Sequence, residues 1–306
     1  MGSRGPVKIR VVVQADPRLH AQVRALGGQR LVFFAGLPGT GKSLLVHQLA
    51  HVAGASGRSI HLVQWDVARP QFEASPAGRR YPPADGVTHR VIRKAAGLWA
   101  RHAIARWSER HPDPRHLLIG ETPFAGNRFV ELVYRLDDRA EPLLAGPSCR
   151  FVIAVPSAEV RRFLEAQRER RAADPLHPRE REDAPPHVLR DLWRDLAAVA
   201  LQMGITRSDA GRVAGHESGS GADGPTPFDP VAYRRVYEAV LRHRNVEIVA
   251  LDTILPTEKL SVYDFAIAPL DLAPSEAEAE QFIREIERRY PEPAALEREI
   301  ARWWDV

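Results

Sequence analysis

Leu31-Val32-Phe33-Phe34-Ala35-Gly36-Leu37-Pro38-Gly39-Thr40-Gly41-Lys42-Ser43-Leu44 is the stretch on which the reading of this chain turns. Its first five residues form a continuous apolar run, the pattern of a strand buried on both faces. Gly36 to Ser43 then fits G-x-x-x-x-G-K-[ST], a loop whose backbone N–H groups wrap phosphates. An apolar helix follows from about Lys42 to Val52, closing near Gly54, so a helix N-terminus adds positive potential at the loop. In this pattern the Lys42 ammonium reaches the β- and γ-phosphates and the Ser43 hydroxyl ligates Mg²⁺. Gly36, Leu37, Pro38, Gly39, Thr40, Gly41, Lys42, Ser43 and Leu44 are the residues expected to hold a nucleotide. The flanking strand and helix separate this loop from an ordinary glycine-rich turn.

Working outward, strands are expected at Val7–Val13, Ser59–Trp65, His116–Glu121, Cys149–Val155 and Val246–Leu251. Helices are expected at Pro17–Leu26, Thr88–Glu109, Arg128–Leu136, from Ser157 onward, Val188–Met203 and Asp229–His243. Asp66 to Gly86 carries Pro70, Pro76, Pro82 and Pro83 and reads as loop or broken helix. Gly211 to Pro227 has the composition of a mobile loop. Ser275-Glu276-Ala277-Glu278 is a capping-box pattern ahead of Phe282, Ile286 and Tyr290, and a last short helix carries Trp303 and Trp304. Strands alternating with helices predict an α/β fold, a parallel central sheet flanked by helices in three layers. The expected organisation is a 1–30 strand-helix extension and a 31–256 nucleotide-binding domain. That domain includes a lid at about 157–187 and the 211–227 loop, and residues 257–306 pack C-terminal helices on it.

Ligands of open α/β sheets bind beyond the carboxyl ends of the strands. Two of those ends deliver a carboxylate: Asp66 after Ile60–Trp65, and Glu121 after His116–Gly120. One would hold Mg²⁺ and the other would orient or deprotonate an acceptor hydroxyl, so both are candidates for metal and for acceptor. After the Phe151–Val155 strand, the helix from Ser157 carries Arg161, Arg162, Arg168, Arg170 and Arg171, followed by the proline-broken Asp174–Pro186. Arginines on a closing segment stabilise transferring phosphate charge and exclude water, with Arg168 and Arg171 the catalytic candidates. The plainer alternative is an amphipathic surface helix with acid–base pairs facing water. Arg69, in Arg69–Glu73, and Arg128, in Pro123–Phe129, leave strand ends toward the same cleft and are candidates for binding the acceptor.

This pattern resembles the P-loop kinases of the nucleotide and small-molecule group, over roughly Leu31 to Pro256. The resemblance rests on Gly36–Ser43 after the first core strand, Asp66 after the second and Glu121 after the third. It extends to the arginine-rich helix and proline-broken segment after the fourth strand. It implies ATP with Mg²⁺, an acceptor opposite the phosphate loop, and Asp252–Pro256 lying against the adenine. In several members, among them antibiotic phosphotransferases and zeta-type toxins, an Asp just after the second strand acts on the acceptor hydroxyl, and Asp66 matches that position. The thymidylate-kinase Asp-Arg-Tyr/His signature is absent, and so are the long adenylate-kinase lid pattern and the Asn-Lys-x-Asp guanine motif. The third strand ends Gly-Glu-Thr rather than in the Asp-Glu pair of many mechanical ATPases.

Composition bounds the rest. The chain has 306 residues, 44% hydrophobic and 27% charged, with no apolar run near the ~20 residues of a membrane span. No basic-then-apolar leader opens it, so a cytoplasmic protein is expected. The lone Cys149 excludes an intrachain disulfide and a cysteine-cluster metal site. The net charge is +4, with four lysines among 43 basic residues, and the arginines interleave with acids as a salt-bridged surface does. His47 and His51 share a helix face without an evident third ligand, which argues against zinc there. The expected activity is transfer of the ATP γ-phosphoryl group to a small-molecule hydroxyl or phosphate. A regulatory or partner-coupled ATPase is the competing class, and a nucleic-acid end kinase a third.

Overall fold

The computed structural model describes residues 11–84, 86–205 and 226–306. Among these, six strands form one all-parallel sheet: β1 (Leu31–Ala35), β2 (Ser59–Gln64), β3 (His116–Thr122), β4 (Cys149–Pro156), β5 (Val246–Leu251) and β6 (Leu270–Leu272). Their spatial order is β5-β4-β1-β3-β2-β6, which puts β1 in the interior of the sheet, next to β3 and β4. Every residue of β1 is buried, as its unbroken apolar run requires. Alternate residues serve opposite faces: Leu31, Phe33 and Ala35 join one core, Val32 and Phe34 the other.

Helices cover both faces, as the alternation of elements predicts. On the face of Val32 and Phe34 lie α1 (Pro17–Leu26) and α2 (Lys42–Ala55). The opposite face buries α3 (Trp65–Ala74) and α4 (Arg90–Arg110). A one-turn helix, α5 (Glu141–Leu144), precedes β4, and α6 (Ala158–Ala173) returns to the first face through Val160. The second face is completed by α7 (Pro186–Gln202), α8 (Pro230–Val240), α9 (Glu276–Arg289) and α10 (Pro293–Ala301). The capping box at Ser275 and Glu278 opens α9, and Phe282, Ile283 and Ile286 bury its apolar stripe. Beneath it, Lys94 of α4 lies buried between Glu131, at 2.9 Å, and Glu299 of α10. Among the described residues no helix is long and apolar enough to cross a membrane.

The structure departs from the sequence reading in several places. Asp66–Gly86, read as loop or broken helix, is the exception, since the broken-helix reading holds over its first part. Its first part is α3, a helix with Pro70 inside it, held by buried Trp65, Ala68 and Phe72. Arg128–Leu136 is not a helix; a strained hairpin and a single 3₁₀ turn at Val130–Leu132 take its place. Val12–Ala15 forms a 3₁₀ turn, so the Val7–Val13 strand fails where it is described, and its first four residues lie outside the described set. Trp303 and Trp304 follow α10 rather than lying within it. The Gly211–Pro227 loop falls outside the described residues up to 225.

Candidate functional site

The glycine-rich loop sits where adjacent strands part. β1 leads into α2 on one face, whereas β3 leads into buried Phe124, Phe129 and Val130 on the other. Such a divergence opens a crevice at the carboxyl edge of a parallel sheet. Gly41 precedes α2 with φ of 88°, in the left-handed region. Gly36 has φ of 142°, and a Cβ there would stand 2.0 Å from the Tyr233 hydroxyl oxygen. The loop is closed by its own side chains: Thr40 Oγ1 and Lys42 Nζ each donate to the Leu37 carbonyl at 2.8 Å.

Lys42 is 4% exposed. Burial pushes its ammonium down to about 8. The charges acting on it are, in decreasing order, Glu121, Arg168, Asp66 and Arg161, with the two acids opposing the shift and the two arginines adding to it. Charges from β3, from α3 and from α6 thus converge on one lysine. Register explains Glu121: it pairs with Phe34 across β1 and β3, two residues before Gly36. Its Oε1 accepts a 2.8 Å hydrogen bond from Ser43 Oγ. A hydroxyl and a carboxylate that close, both hard oxygen donors, are a chemical fit for Mg²⁺.

Asp66 lies exposed in the first turn of α3. Across from it is Arg128, whose guanidinium burial pushes down while the Asp66 charge opposes that shift and Arg69 adds to it. Arg69 itself is committed to Glu73 at 2.8 Å, and Glu73 also accepts from Thr88. Arg128 is presented by a tight hairpin in which Phe124 and Arg128 exchange backbone hydrogen bonds at 3.0 and 3.1 Å. Three non-glycine residues there, Phe124, Asn127 and Phe129, have φ of 56°, 61° and 62°. Left-handed backbone at such residues costs of order 1–3 kcal/mol each and clusters where function fixes geometry. Buried Phe124 and Phe129 anchor the hairpin.

The arginine helix divides its labour. Arg161, 2% exposed, donates to the Pro38 carbonyl at 2.8 Å, to Leu189 O of α7 at 3.2 Å and to Glu165 at 2.8 Å. It therefore braces the glycine loop from behind. Arg168 meets Asp183 at 3.4 Å, and Tyr263 donates to the same carboxylate at 2.7 Å. Through Asp183 the Asp174–Pro186 segment is held against the chain after β5, with Arg179 stacked over Tyr263 at 4.8 Å. Arg171 turns elsewhere, donating to the Thr257 and Glu258 carbonyls, so it ties α6 to the segment following β5 and is not gathered at Lys42. His47 and His51 pack against Phe265, an ordinary helix-face role.

The sequence reading did not find Tyr233, which lies buried under Gly36, or the Asp183–Tyr263 pair. The one available signal for Tyr233 was its i,i+4 spacing with Tyr237 behind the Asp229 cap. Comparison with protein-family models, curated proteins and solved structures gives no match.

Proposed function

We propose that the chain is an ATP-dependent phosphotransferase of the P-loop kinase type, acting on a small-molecule hydroxyl or phosphate. The observation that carries this reading is the convergence of Ser43, Glu121 and buried Lys42 at the carboxyl end of β1, within a loop of the G-x-x-x-x-G-K-[ST] pattern. When bound, MgATP supplies the transferable γ-phosphoryl group. The backbone N–H groups of Gly39 to Ser43 would hold its phosphates, and Lys42 would exchange its bond to the neutral Leu37 carbonyl for one to a charged phosphate oxygen. Ser43 and Glu121 hold the metal. Asp66 accepts the proton of the acceptor hydroxyl, and Arg128 orients the acceptor opposite it. Arg168, drawn in by Asp183, adds positive charge over the phosphates, while Arg161 keeps the loop in shape.

The test is label transfer from γ-labelled ATP, using the full chain and a panel of hydroxyl- and phosphate-bearing small molecules. ATP is expected to be hydrolysed slowly alone and its phosphate transferred when a fitting acceptor is present. Lys42→Ala abolishes nucleotide turnover. Asp66→Asn abolishes transfer with ATP affinity kept within a few-fold. Rapid acceptor-independent hydrolysis stimulated by a protein or nucleic acid would overturn the phosphotransferase reading in favour of a partner-coupled ATPase.

A further inference from the structure

At the opposite edge of the sheet, three histidines distant in sequence meet. His61 is the third residue of β2, His116 the first of β3, and His111 the residue that ends α4. Ring-centroid separations are 4.5 Å for His61–His111, 4.5 Å for His111–His116 and 5.1 Å for His61–His116. One nitrogen from each ring lies within 4.8 Å of the other two, and His61 Nε2 stands 2.9 Å from His116 Nδ1. Among the described residues this is the one group of three or more histidines, cysteines and acids so placed.

We propose that His61, His111 and His116 bind one divalent transition-metal ion of the imidazole-seeking kind, with Zn²⁺ as the type case. Tetrahedral zinc with Zn–N bonds near 2.0–2.1 Å sets its ligand nitrogens about 3.3 Å apart. The 2.9 Å His61–His116 pair opens slightly to that spacing, and His111, on the short connection between α4 and β3, moves in to complete it. The hydrogen bond between these two tilted imidazoles is the contact the metal replaces.

The surroundings are built to hold this geometry. Arg30 donates to the carbonyls of His111, Asp113 and His116, and its guanidinium lies 4.2 Å over the Trp107 ring. One side chain thus fixes the backbone that carries two of the three ligands. Beside them a cavity of about 260 Å³ is lined by His61, Trp107, His111 and Asp271, which leaves a fourth coordination position facing solvent. The Arg30 charge opposes any cation here. That favours ions with strong bonds to imidazole nitrogen over Mg²⁺ or Ca²⁺, whose preference is for oxygen. A bound ion would staple the first residues of β2 and β3 to the end of α4, independently of the nucleotide reading.

The experiment is titration of the chelator-treated full chain, without nucleotide, by Zn²⁺ in calorimetry and by Co²⁺ in visible absorption. One ion per chain is expected, with the intense ligand-field bands of tetrahedral Co²⁺. His111→Gln and His116→Gln each weaken binding more than about 100-fold, beyond what losing a supporting residue costs. His51→Gln leaves it within about twofold. Because His111 lies outside the strands, the metal-free His111→Gln protein is expected to melt within a degree or two of wild type, which separates lost ligation from lost fold. Failure of wild type to take up one ion, uptake indifferent to His111→Gln, or uptake abolished by His51→Gln would each overturn the proposal.

Discussion

Replacing Lys42 by Met should make the nucleotide-free protein more stable while removing its response to nucleotide. Lys42 is buried, and its ammonium is pushed down to about 8 from an ordinary value near 10.4. At about 1.4 kcal/mol per pH unit, holding that charge in the folded state costs about 3 kcal/mol. Met keeps the aliphatic packing but forfeits the hydrogen bond to Leu37 O, worth about 1 kcal/mol. The net expectation at pH 7 is a gain of about 2 kcal/mol, or a melting point about 3 °C higher for a chain of 306 residues. The sign with pH follows from linkage. Below pH 8 the lysine is charged in both states and the penalty is complete. Between about 8 and 10.4 the folded lysine is neutral while the unfolded one still binds its proton, so wild-type stability climbs and the advantage of Met shrinks. Urea denaturation of both proteins at pH 7 and pH 10, with and without MgATP, measures all of this. A Met variant less stable than wild type at pH 7, or an advantage unchanged at pH 10, would refute the assignment of a charged lysine buried for a ligand.

Gly36→Ala is expected to cost about 1–3 kcal/mol in urea denaturation, because its Cβ would stand 2.0 Å from the Tyr233 hydroxyl oxygen. Adding Tyr233→Phe should return part of that loss, since the next contacts, Thr40 Oγ1 and Tyr233 Cζ, are at 3.1 and 3.3 Å. Lys94→Met should cost about 3–5 kcal/mol by leaving the fully buried Glu131 carboxylate unpaired, and Lys94→Met/Glu131→Gln should recover much of it. Burial raises the Glu131 carboxyl already, and without Lys94 it rises further. The single variant should therefore lose least at acid pH and progressively more as pH climbs toward 7, with thermal melts as the readout.

The parts of the fold legible in the sequence are those where one local rule acts alone. β1, the glycine loop and α2 follow from an apolar run, a glycine pattern and a helix, and α1 is bounded by Pro17 and Gly27 as capping rules require. β6 escaped notice because three residues with Asp271 between two leucines carry no usable period. In α3 the prolines leave loop and broken helix both open, and the burial of Trp65, Ala68 and Phe72 decides for the helix. The Phe124–Phe129 hairpin was unreadable for the opposite reason. Its left-handed positions are occupied by Phe and Asn and enforced by tertiary burial, where local sequence would call for glycine. At the site, the strand ends carry Asp66 and Glu121 to the carboxyl edge of the sheet, where Glu121 meets Ser43. Which arginine touches the glycine loop depends on the packing of α6 against α7, which turns Arg161 to Pro38 and leaves Arg171 on the Thr257–Glu258 segment.

Pro70 has a mechanical consequence. A proline cannot donate to the carbonyl four residues back, which in α3 is that of Asp66. The first turn of the helix therefore carries its acid on a backbone segment with one fastening fewer than an unbroken helix, while the side chains of Trp65, Ala68 and Phe72 moor it in the core. Tilting that turn costs about 1 kcal/mol less than it would with the bond in place. Asp66 is mounted as on a leaf spring pinned at both ends: Trp65 and Ala68 clamp the turn on either side of it, and the missing bond leaves the stretch between them free to bow without disturbing the sheet behind it.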